Sequence, residues 1–216
     1  MAIAFPLARS LFADRLKIAA FRWQLQPFVE SSGTALGQVI ANEIAPRRWR
    51  AEVELARMPH TEAADIQALI DALGPSGTFY LHNPGQLGPR DDPDGAAVAG
   101  HSVGINAVGA DNKSLRLAGL PAGYRLRRGD MLHFDYGSSP TRRALHRIVE
   151  DATASGAGVS SFFEVRPFLK AGTTTGLTVT LVRATARMML EPGSFDPGTE
   201  GPVLTSGMGF KAIEVR

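Results

Sequence analysis

The side chains best suited to acid–base or metal chemistry in this chain are its five histidines. They are His60, His82, His101, His133 and His146. None stands in an HExxH or HxH arrangement, and the chain has no cysteine, so the sequence offers no familiar metal-ligand spacing and no thiol nucleophile. His133 and Asp135 share one face of a predicted strand, where a carboxylate could orient an imidazole. We expect an exposed cross-strand pair there instead, and we assign His60 to the turn before a helix.

Among the carboxylates, the cluster that most resembles a metal-binding loop is at residues 91–95, with the sequence DDPDG. Calcium loops of the EF-hand type need acidic side chains at alternating positions and a closing glutamate, and this segment has neither. A Pro-Asp-Gly turn accounts for it. Glu150 and Asp151 are adjacent, and adjacent residues of a strand face opposite sides, so the two could not act together on one substrate.

Nucleophile and phosphate motifs are also missing from the sequence. Ser31 and Ser32 precede Gly33 without forming a GxSxG elbow, and the glycine-rich residues 100–109 lack the order of a phosphate-binding loop. The turn at residues 127–130 is explained by a glycine with positive φ and an aspartate that caps it. We therefore predict no catalytic residue, no cofactor-binding residue and no metal ligand. We expect a protein that is not an enzyme and needs no cofactor.

Composition excludes several classes of protein. The 216 residues carry a formal net charge of +2, which is too small for a protein whose main role is to bind nucleic acid. No apolar run reaches the length of about 18 residues that a membrane-spanning helix needs. Arg9 and Asp14 come too early for a signal peptide, so we expect a short N-terminal arm whose apolar side chains pack on a neighbouring surface. These side chains are Phe5, Leu7, Leu11 and Phe12.

The clearest secondary structure lies in one stretch of the first half of the chain. Strict alternation predicts a half-buried antiparallel strand at residues 49–55. A helix follows at residues 62–73, with Thr61 as the N-cap and Gly74-Pro75 as the stop. Its apolar residues recur at helical spacing and form one stripe, which we expect to pack on the sheet that carries residues 49–55. The stripe consists of Ile66, Leu69, Ile70 and Leu73.

Shorter strands are predicted before this stretch. They lie at residues 18–28 and 38–44, with a turn at residues 31–33 between them and a second turn at residues 46–47 that leads into the strand at residues 49–55. The chain has 23 glycines and 14 prolines, which favour turns between short strands. The predicted fold class is mostly β, with a β-sandwich-like first domain that carries one helix.

Composition changes at residues 85–100, which are rich in Gly, Pro and Asp and which we interpret as an exposed loop at a domain crossing. Five strands are predicted after this loop, and their spacing favours a small β-barrel or sandwich of OB-like (oligonucleotide/oligosaccharide-binding) topology. They lie at residues 103–108, 115–117, 131–136, 145–149 and 162–168. Aromatic residues, 7% of the chain, fall at positions predicted to point inward, which argues against a stacking platform for single-stranded nucleic acid.

Two more strands complete the pattern. One is long, at residues 177–190, with a bend near residues 182–183, and the last lies at residues 210–215. The predicted organisation has three parts. They are an N-terminal β domain at residues 1–84, a small β-barrel domain at residues 85–170, and C-terminal strands at residues 171–216.

Part of this pattern is shared with a known family. The positions concerned are Gly37-Gln38, residues 49–55, Met58, Glu62-Ala63, residues 66–73, Gly77, Phe79 and Asn83-Pro84. Together they resemble the N-terminal domain of the distal tail proteins of tailed phages and of related phage-like particles. A looser match continues through the Gly129-Asp130 turn to Pro167.

The resemblance implies a structural protein of the virion, located at the tail tip and made in the host cytoplasm. Copies would form a homohexameric ring that joins the tail tube to the baseplate. Residues 1–84 would pair with neighbours around a β-lined channel, the barrel would project outward, and residues 171–216 would return to the first domain. The implied partners are further copies of the chain, the tail tube protein and the baseplate hub protein. DNA would be only cargo in the channel, and no membrane partner is implied.

Two other functions stay open at this stage. A carbohydrate-binding module would use the barrel domain to hold saccharides of the host surface during attachment. A hydrolase would need an apolar cleft with converging polar groups, and the sequence identifies no residues for one.

Overall fold

Strands account for most of the regular structure in the computed structural model, which describes residues 3–33 and 37–215. The predicted mostly-β class is confirmed, and so is a small barrel-like sheet. The described residues divide into two compact units. Residues 16–77 and 189–215 belong to one, which we call the hairpin unit, and residues 3–15 and 78–188 belong to the other, which we call the barrel unit.

The hairpin unit is built on two long antiparallel strands. β1 (Ile18–Gly33) and β2 (Val39–Leu55) pair along their whole length, and a third strand, β16 (Gly209–Glu214), pairs with β2 between Arg50 and Glu54. Three short strands form a second sheet. In sheet order they are β14 (Thr199–Glu200), β15 (Leu204–Ser206) and β3 (Met58–Pro59).

Both turns predicted within this hairpin are wrong. Residues 31–33 continue β1 and pair with β2, and the connection at residues 34–36 lies outside the described residues. Residues 46–47 lie inside β2, where the register shifts opposite Pro27. Pro27 and Pro46 have no N–H to give to the ladder, so the strands bulge at the prolines and then continue.

One face of β2 contributes to the core of the hairpin unit, as its alternation predicts. Trp49, Ala51, Val53 and Leu55 are buried. Phe21 and Trp23 of β1 lie on the same face, and their rings stack with centroids 5.7 Å apart. Burial of these large side chains stabilises the part of the hairpin that lies next to β16.

The helix α1 (His60–Leu73) matches the predicted helix to within two residues. The predicted N-cap is wrong, because the residue before the helix is Pro59, which makes no side-chain cap, and Thr61 lies exposed in the first turn. His60 is held by a 2.8 Å hydrogen bond between its Nδ1 and the Thr205 hydroxyl. Within residues 3–33 and 37–215, no helix is long and apolar enough to cross a membrane.

The apolar stripe of α1 is buried at three of its four predicted positions. Ile66, Ile70 and Leu73 are buried, whereas Leu69 is partly exposed and Ala63 joins the stripe. Spacings of three and four residues place Ala63, Ile66, Ile70 and Leu73 along one line of the helix. This explains why Ala63 is buried in the stripe and Leu69 is not. The strands that lie beside the helix are β3 and β15.

The barrel unit contains a nearly closed, six-stranded, barrel-like sheet. In sheet order its strands are β12 (Val179–Thr180), β8 (Met131–Tyr136), β9 (Arg142–Ile148), β11 (Phe163–Arg166), β6 (Ser114–Ala118) and β5 (Gly104–Val108). Each of the five strands predicted between residues 103 and 168 is present. The sheet encloses a core that includes Leu115, Phe134 and Phe163. Two short strands, β7 (Arg125–Leu126) and β10 (Ala152–Thr153), form a separate pair.

The strand predicted at residues 177–190 is broken in two. A turn follows β12, and β13 (Thr185–Leu190) begins beyond it, next to β4 (Thr78–His82). Arg183 in the turn has a φ of +47°, which is a left-handed conformation. The bend therefore lies near residues 182–183 as predicted, but it interrupts the strand.

The N-terminal segment is partly anchored within the barrel unit. Leu7 forms a parallel bridge with Phe79. Leu7 and Phe12 are buried, and the Phe12 ring meets the Phe79 ring edge to face at 4.8 Å. Phe5 and Leu11 remain exposed. Of the four side chains expected to pack on a neighbouring surface, two are already used by this unit.

Residues 85–100 form turns without strands, in agreement with their composition, but they are firmly held. The buried carboxylate of Asp92 accepts hydrogen bonds from the backbone N–H groups of Ala97 and Val98, each at 3.1 Å. The Tyr124 hydroxyl donates to the same carboxylate at 3.1 Å. Burial, together with the Asp92 charge, raises the pKa of Tyr124. The predicted exposed loop is thus anchored by one aspartate.

Candidate functional site

The outer half of the β1–β2 hairpin has little support from the rest of the hairpin unit. It comprises residues 29–33 and 39–45, which we call the hairpin arm. Because β16 pairs with β2 only from Arg50 to Glu54, each strand of the arm has the other as its one pairing partner within the described residues. Nearly every side chain of the arm is exposed.

Large apolar side chains are exposed on both faces of the arm. Val29, Val39, Ile40 and Ile44 are between 47% and 75% exposed. Val29 pairs with Glu43 and Ile40 pairs with Ser32, so Val29 and Ile40 point to opposite faces. Monomeric proteins rarely leave clustered apolar side chains in water. Burying them against a partner would contribute roughly 25 cal/mol for each Å² of apolar surface.

Both long edges of the arm offer backbone groups for pairing. On an edge strand, alternate residues direct N–H and C=O groups outward, and another strand can add there. β1 is the outermost strand of its sheet, and residues 39–45 of β2 extend beyond the last residue paired with β16. A two-stranded ribbon alone is only marginally stable in water. The arm therefore has the geometry of a surface that strand pairing with another chain would complete.

Charged side chains near the base of the arm occur in pairs. Arg47 Nε lies 3.2 Å from a Glu43 carboxylate oxygen. Arg50 contacts both oxygens of Glu191, at 2.6 and 2.7 Å, and this hydrogen bonding raises the pKa of the guanidinium. Partly exposed pairs of this kind add little to stability. With these charges paired, the apolar side chains and backbone edges of the arm remain as groups that a partner could cover.

Two open grooves lie elsewhere on the chain. One, of about 570 Å³ in the hairpin unit, is lined by Arg50, residues 191–197 and Lys211. Its two cations face carboxylates of the same unit. The other, of about 620 Å³ in the barrel unit, is lined by residues 83–90, Pro93, Asp94 and Gly129. Neither lining combines a nucleophile with a base and an oxyanion donor, which is the set that acyl or phosphoryl transfer needs.

The expectation of an exposed His133–Asp135 pair is wrong for the histidine. Its ring is buried, and its Nδ1 accepts a 3.2 Å hydrogen bond from the backbone N–H of Thr185. Burial, and secondarily the charge of Arg143, lowers the pKa of His133 to about 3. Asp135 instead binds Arg143 through two contacts of 2.7 and 2.8 Å, which lower the pKa of the carboxyl. The two residues do not act as an acid–base pair.

The other histidines are not assembled into a metal site. His146 is fully buried, and its Nδ1 donates to the Pro167 carbonyl at 2.8 Å. Burial lowers the pKa of His146 to about 4, and burial also lowers the pKa of His82. His101 is exposed. In the part of the chain that the structure describes, no three acidic or histidine side chains are grouped so that they could hold a metal ion.

Asp130 and Asp151 hold the turn around Gly129. Asp130 is fully buried and accepts hydrogen bonds from the N–H groups of Arg90 and Arg127, both at 2.8 Å. Burial raises the pKa of this carboxyl. Asp151 accepts a 2.7 Å hydrogen bond from the backbone of the same turn. Both carboxylates therefore satisfy backbone donors of a tight loop, which is a structural role.

Comparison with known proteins leaves the family open. No family model matches the chain, and no curated protein is significantly similar to it. The fold and its surface define a general class, a mostly-β protein with a barrel-like unit and an exposed hairpin arm. The candidate site is accordingly an interaction surface.

The length of the arm was not predicted, although the sequence contains one signal of it. The strand predicted at residues 18–28 leaves out the last five residues of β1, and the turn predicted at residues 46–47 divides β2. Val39 and Ile40 are adjacent, so they place apolar side chains on both faces of one strand, a pattern typical of strands that are covered on both sides. No covering element from the hairpin unit lies over them, since both are exposed.

Proposed function

We propose that this chain is a structural protein of a phage tail tip, whose copies form a closed ring that joins the tail tube to the baseplate or hub. The observation that carries the proposal is the hairpin arm, which exposes apolar side chains on both faces and backbone on both edges. The resemblance of residues 33–84 to distal tail proteins supplies the biological setting.

Ring closure would use both edges of the arm at once. In a head-to-tail assembly, the outer edge of β1 in one copy pairs with the exposed edge of β2 in the next copy. A closed ring then leaves no edge free, which is how barrels avoid uncontrolled aggregation. Apolar side chains on one face of the joined sheet can be covered by neighbours, while the other face surrounds a channel. Sixfold symmetry is the number that the resemblance implies.

The partners in this role are further copies of the chain, the tail tube protein on one side of the ring and the baseplate hub protein on the other. DNA passes through the channel as cargo. The protein belongs to the virion, at the tail tip, and is made in the host cytoplasm. No chemical turnover is required of it.

A single substitution in the arm tests the proposal against a matched control. Val39 is 75% exposed and lies in the arm, whereas Val203 is 73% exposed and lies outside it, beside β15 of the same unit. Val39→Lys would place a charge in each contact between neighbouring arms, and the contact would lose its apolar burial. We expect Val39→Lys to abolish the ring and Val203→Lys to retain it. Light scattering of the full-length protein over a range of concentrations, with negative-stain images, measures both.

Two results would overturn the ring. The first is a wild-type protein that stays monomeric at high concentration and also in the presence of the tail tube and hub proteins. The second is a ring that persists in Val39→Lys as well as in Val203→Lys, because the arm would then not form the contact. Circular dichroism of both variants separates loss of assembly from loss of folding.

A further inference from the structure

Two phenylalanine rings stand out on the surface of the barrel unit. Phe162 and Phe168 are each 47% exposed, and they flank β11. Alternation along this strand buries Phe163 and Val165 in the barrel core and turns Phe162 and Phe168 outward. The expectation that aromatic residues point inward is therefore wrong for these two.

Basic side chains lie close to each exposed ring. The guanidinium of Arg116, on the neighbouring strand β6, lies 5.2 Å from the centre of the Phe162 ring. Lys113 and Arg166 lie 5.4 and 4.5 Å from the centre of the Phe168 ring. Cations at these distances are attracted to the face of the ring, so they favour the ring orientation seen in the structure.

Polar side chains near the two rings contact one another. Glu164 faces outward between them and forms an ion pair with Arg166. Arg116 donates from its Nε to the Asn106 side-chain oxygen at 2.8 Å. We call this surface the Phe162–Phe168 strip. It consists of Lys113, Arg116, Phe162, Glu164, Arg166 and Phe168, so it carries three cations against one carboxylate.

We propose that the Phe162–Phe168 strip binds a saccharide chain that carries carboxylates. The flat C–H faces of pyranose rings pack on exposed phenyl rings and are removed from water there. A sugar carboxylate accepts two parallel hydrogen bonds from a guanidinium, which suits Arg116 and Arg166. Glu164 can only accept, and sugar hydroxyls supply the donors it needs. All three chemical features of such a ligand are matched within one strip.

Single-stranded nucleic acid fits the strip less well. Bases would stack on the rings and phosphates would meet the cations. However, a phosphate backbone has no hydroxyl donors on its phosphates to meet the outward-facing carboxylate of Glu164.

A protein partner is disfavoured by size. Stable protein interfaces use about 20–30 residues on each side, and the strip offers six. Its exposed rings and mixed charges suit a narrow, hydroxylated chain that runs along one strand. This activity goes beyond the ring proposed above and does not rest on it, since the strip lies wholly in the barrel unit.

The test measures binding of hexagalacturonate to the full-length protein by isothermal titration calorimetry. Maltohexaose serves as the neutral saccharide and a thymidine oligonucleotide as the nucleic acid. We expect hexagalacturonate to bind more tightly than either, and its affinity to fall as salt is added. Phe162→Ala and Phe168→Ala should each weaken binding about tenfold, as loss of a ring contact worth about 1.4 kcal/mol implies.

Two further variants keep the test decisive. Leu87→Ala removes another exposed apolar side chain of the barrel unit, 42% exposed and outside the strip, and should leave the affinity within about twofold. Arg116→Lys keeps the charge but loses the planar fork, and it should weaken hexagalacturonate binding while the melting temperature is retained. Absence of hexagalacturonate binding would overturn the proposal. So would equal binding of maltohexaose, tighter binding of the oligonucleotide, or equal effects of Leu87→Ala and Phe162→Ala.

Discussion

Trp23 of β1 and Trp49 of β2 stack across the hairpin, with ring centroids 5.7 Å apart and an angle of 20° between the ring planes. The contact lies where β16 stops pairing with β2, since the last paired residue is Arg50. On one side of it the hairpin is held by a core. On the other side the strands run on as the hairpin arm, with Val39 and Ile40 in water. Substitutions in the arm can therefore change assembly while the fold of the hairpin unit is kept.

Ile70→Ala should destabilise the hairpin unit more than Leu69→Ala. Ile70 is buried in the stripe of α1, whereas Leu69 is partly exposed. Truncating a buried isoleucine to alanine costs about 2–5 kcal/mol, and a cost below that range is expected where the side chain is partly exposed. Chemical denaturation followed by circular dichroism gives both values. Equal losses would show that the stripe does not follow the line through Ile66 and Leu73.

The free energy of unfolding should fall as the pH drops below about 6.5, because of His133 and His146. Their pKa values in the folded protein are about 3 and about 4, below the ordinary value that the unfolded chain has. Between the two values the unfolded chain binds protons that the folded chain does not. Each histidine then lowers the free energy of unfolding by up to about 1.4 kcal/mol per pH unit. The stability that the two neutral histidines contribute is fully present above their pKa in the unfolded chain. It is lost progressively as the pH falls toward their pKa in the folded protein.

Urea midpoints at a series of pH values measure this slope. His146→Gln should flatten it, because one of the buried histidines with a lowered pKa is gone, even where the variant is less stable overall. His101→Gln is the matched control, because it removes an exposed histidine instead of a buried one. A wild-type profile that stays flat between pH 6.5 and pH 5, the range where about half of this loss is due, would contradict burial of the two rings.

Asp92→Ala should loosen residues 85–100, and Asp94→Ala should not. Asp92 is buried and accepts three hydrogen bonds, whereas Asp94 is exposed. Donors left unpaired in a buried site cost about 1–3 kcal/mol each at most. Limited trypsin digestion at Arg90 measures this loosening. Arg90 should resist cleavage in the wild type and in Asp94→Ala, and it should be cleaved earlier in Asp92→Ala. Early cleavage at Arg90 in the wild type would show that the segment is mobile despite its anchor.

Hydrogen exchange should distinguish the free arm from the assembled one. In a monomer, the outward amides of residues 29–33 and 39–45 have no partner strand, so they should exchange quickly. The amides of residues 50–54, which lie between β1 and β16, should be protected in every state. If the ring forms, protection should extend to the arm. Unchanged exchange in a confirmed oligomer would place the subunit contact elsewhere.

Local patterns in the sequence are sufficient to predict several of the regular elements of this protein. Alternation over residues 49–55 predicts the buried face of β2, helical spacing predicts α1 to within two residues, and the strand predicted at residues 131–136 has the observed bounds of β8. These features depend on backbone geometry that repeats every two or every 3.6 residues, so a short window contains the signal.

Long-range packing is what places His133 inside the barrel unit and leaves Phe162 outside it. Both residues stand in alternating strands, and alternation says which residues share a face without saying which face will be covered. His133 is buried, and the backbone N–H of Thr185, 52 residues away in the chain, donates a hydrogen bond to its ring nitrogen. Phe162 is exposed because its neighbour Phe163 takes the core position opposite Leu115. Whether a residue is buried depends on which distant segments of the chain pack against it. The free energy that favours this packing comes from many contacts between residues far apart in the chain, so a short stretch of sequence does not reveal it.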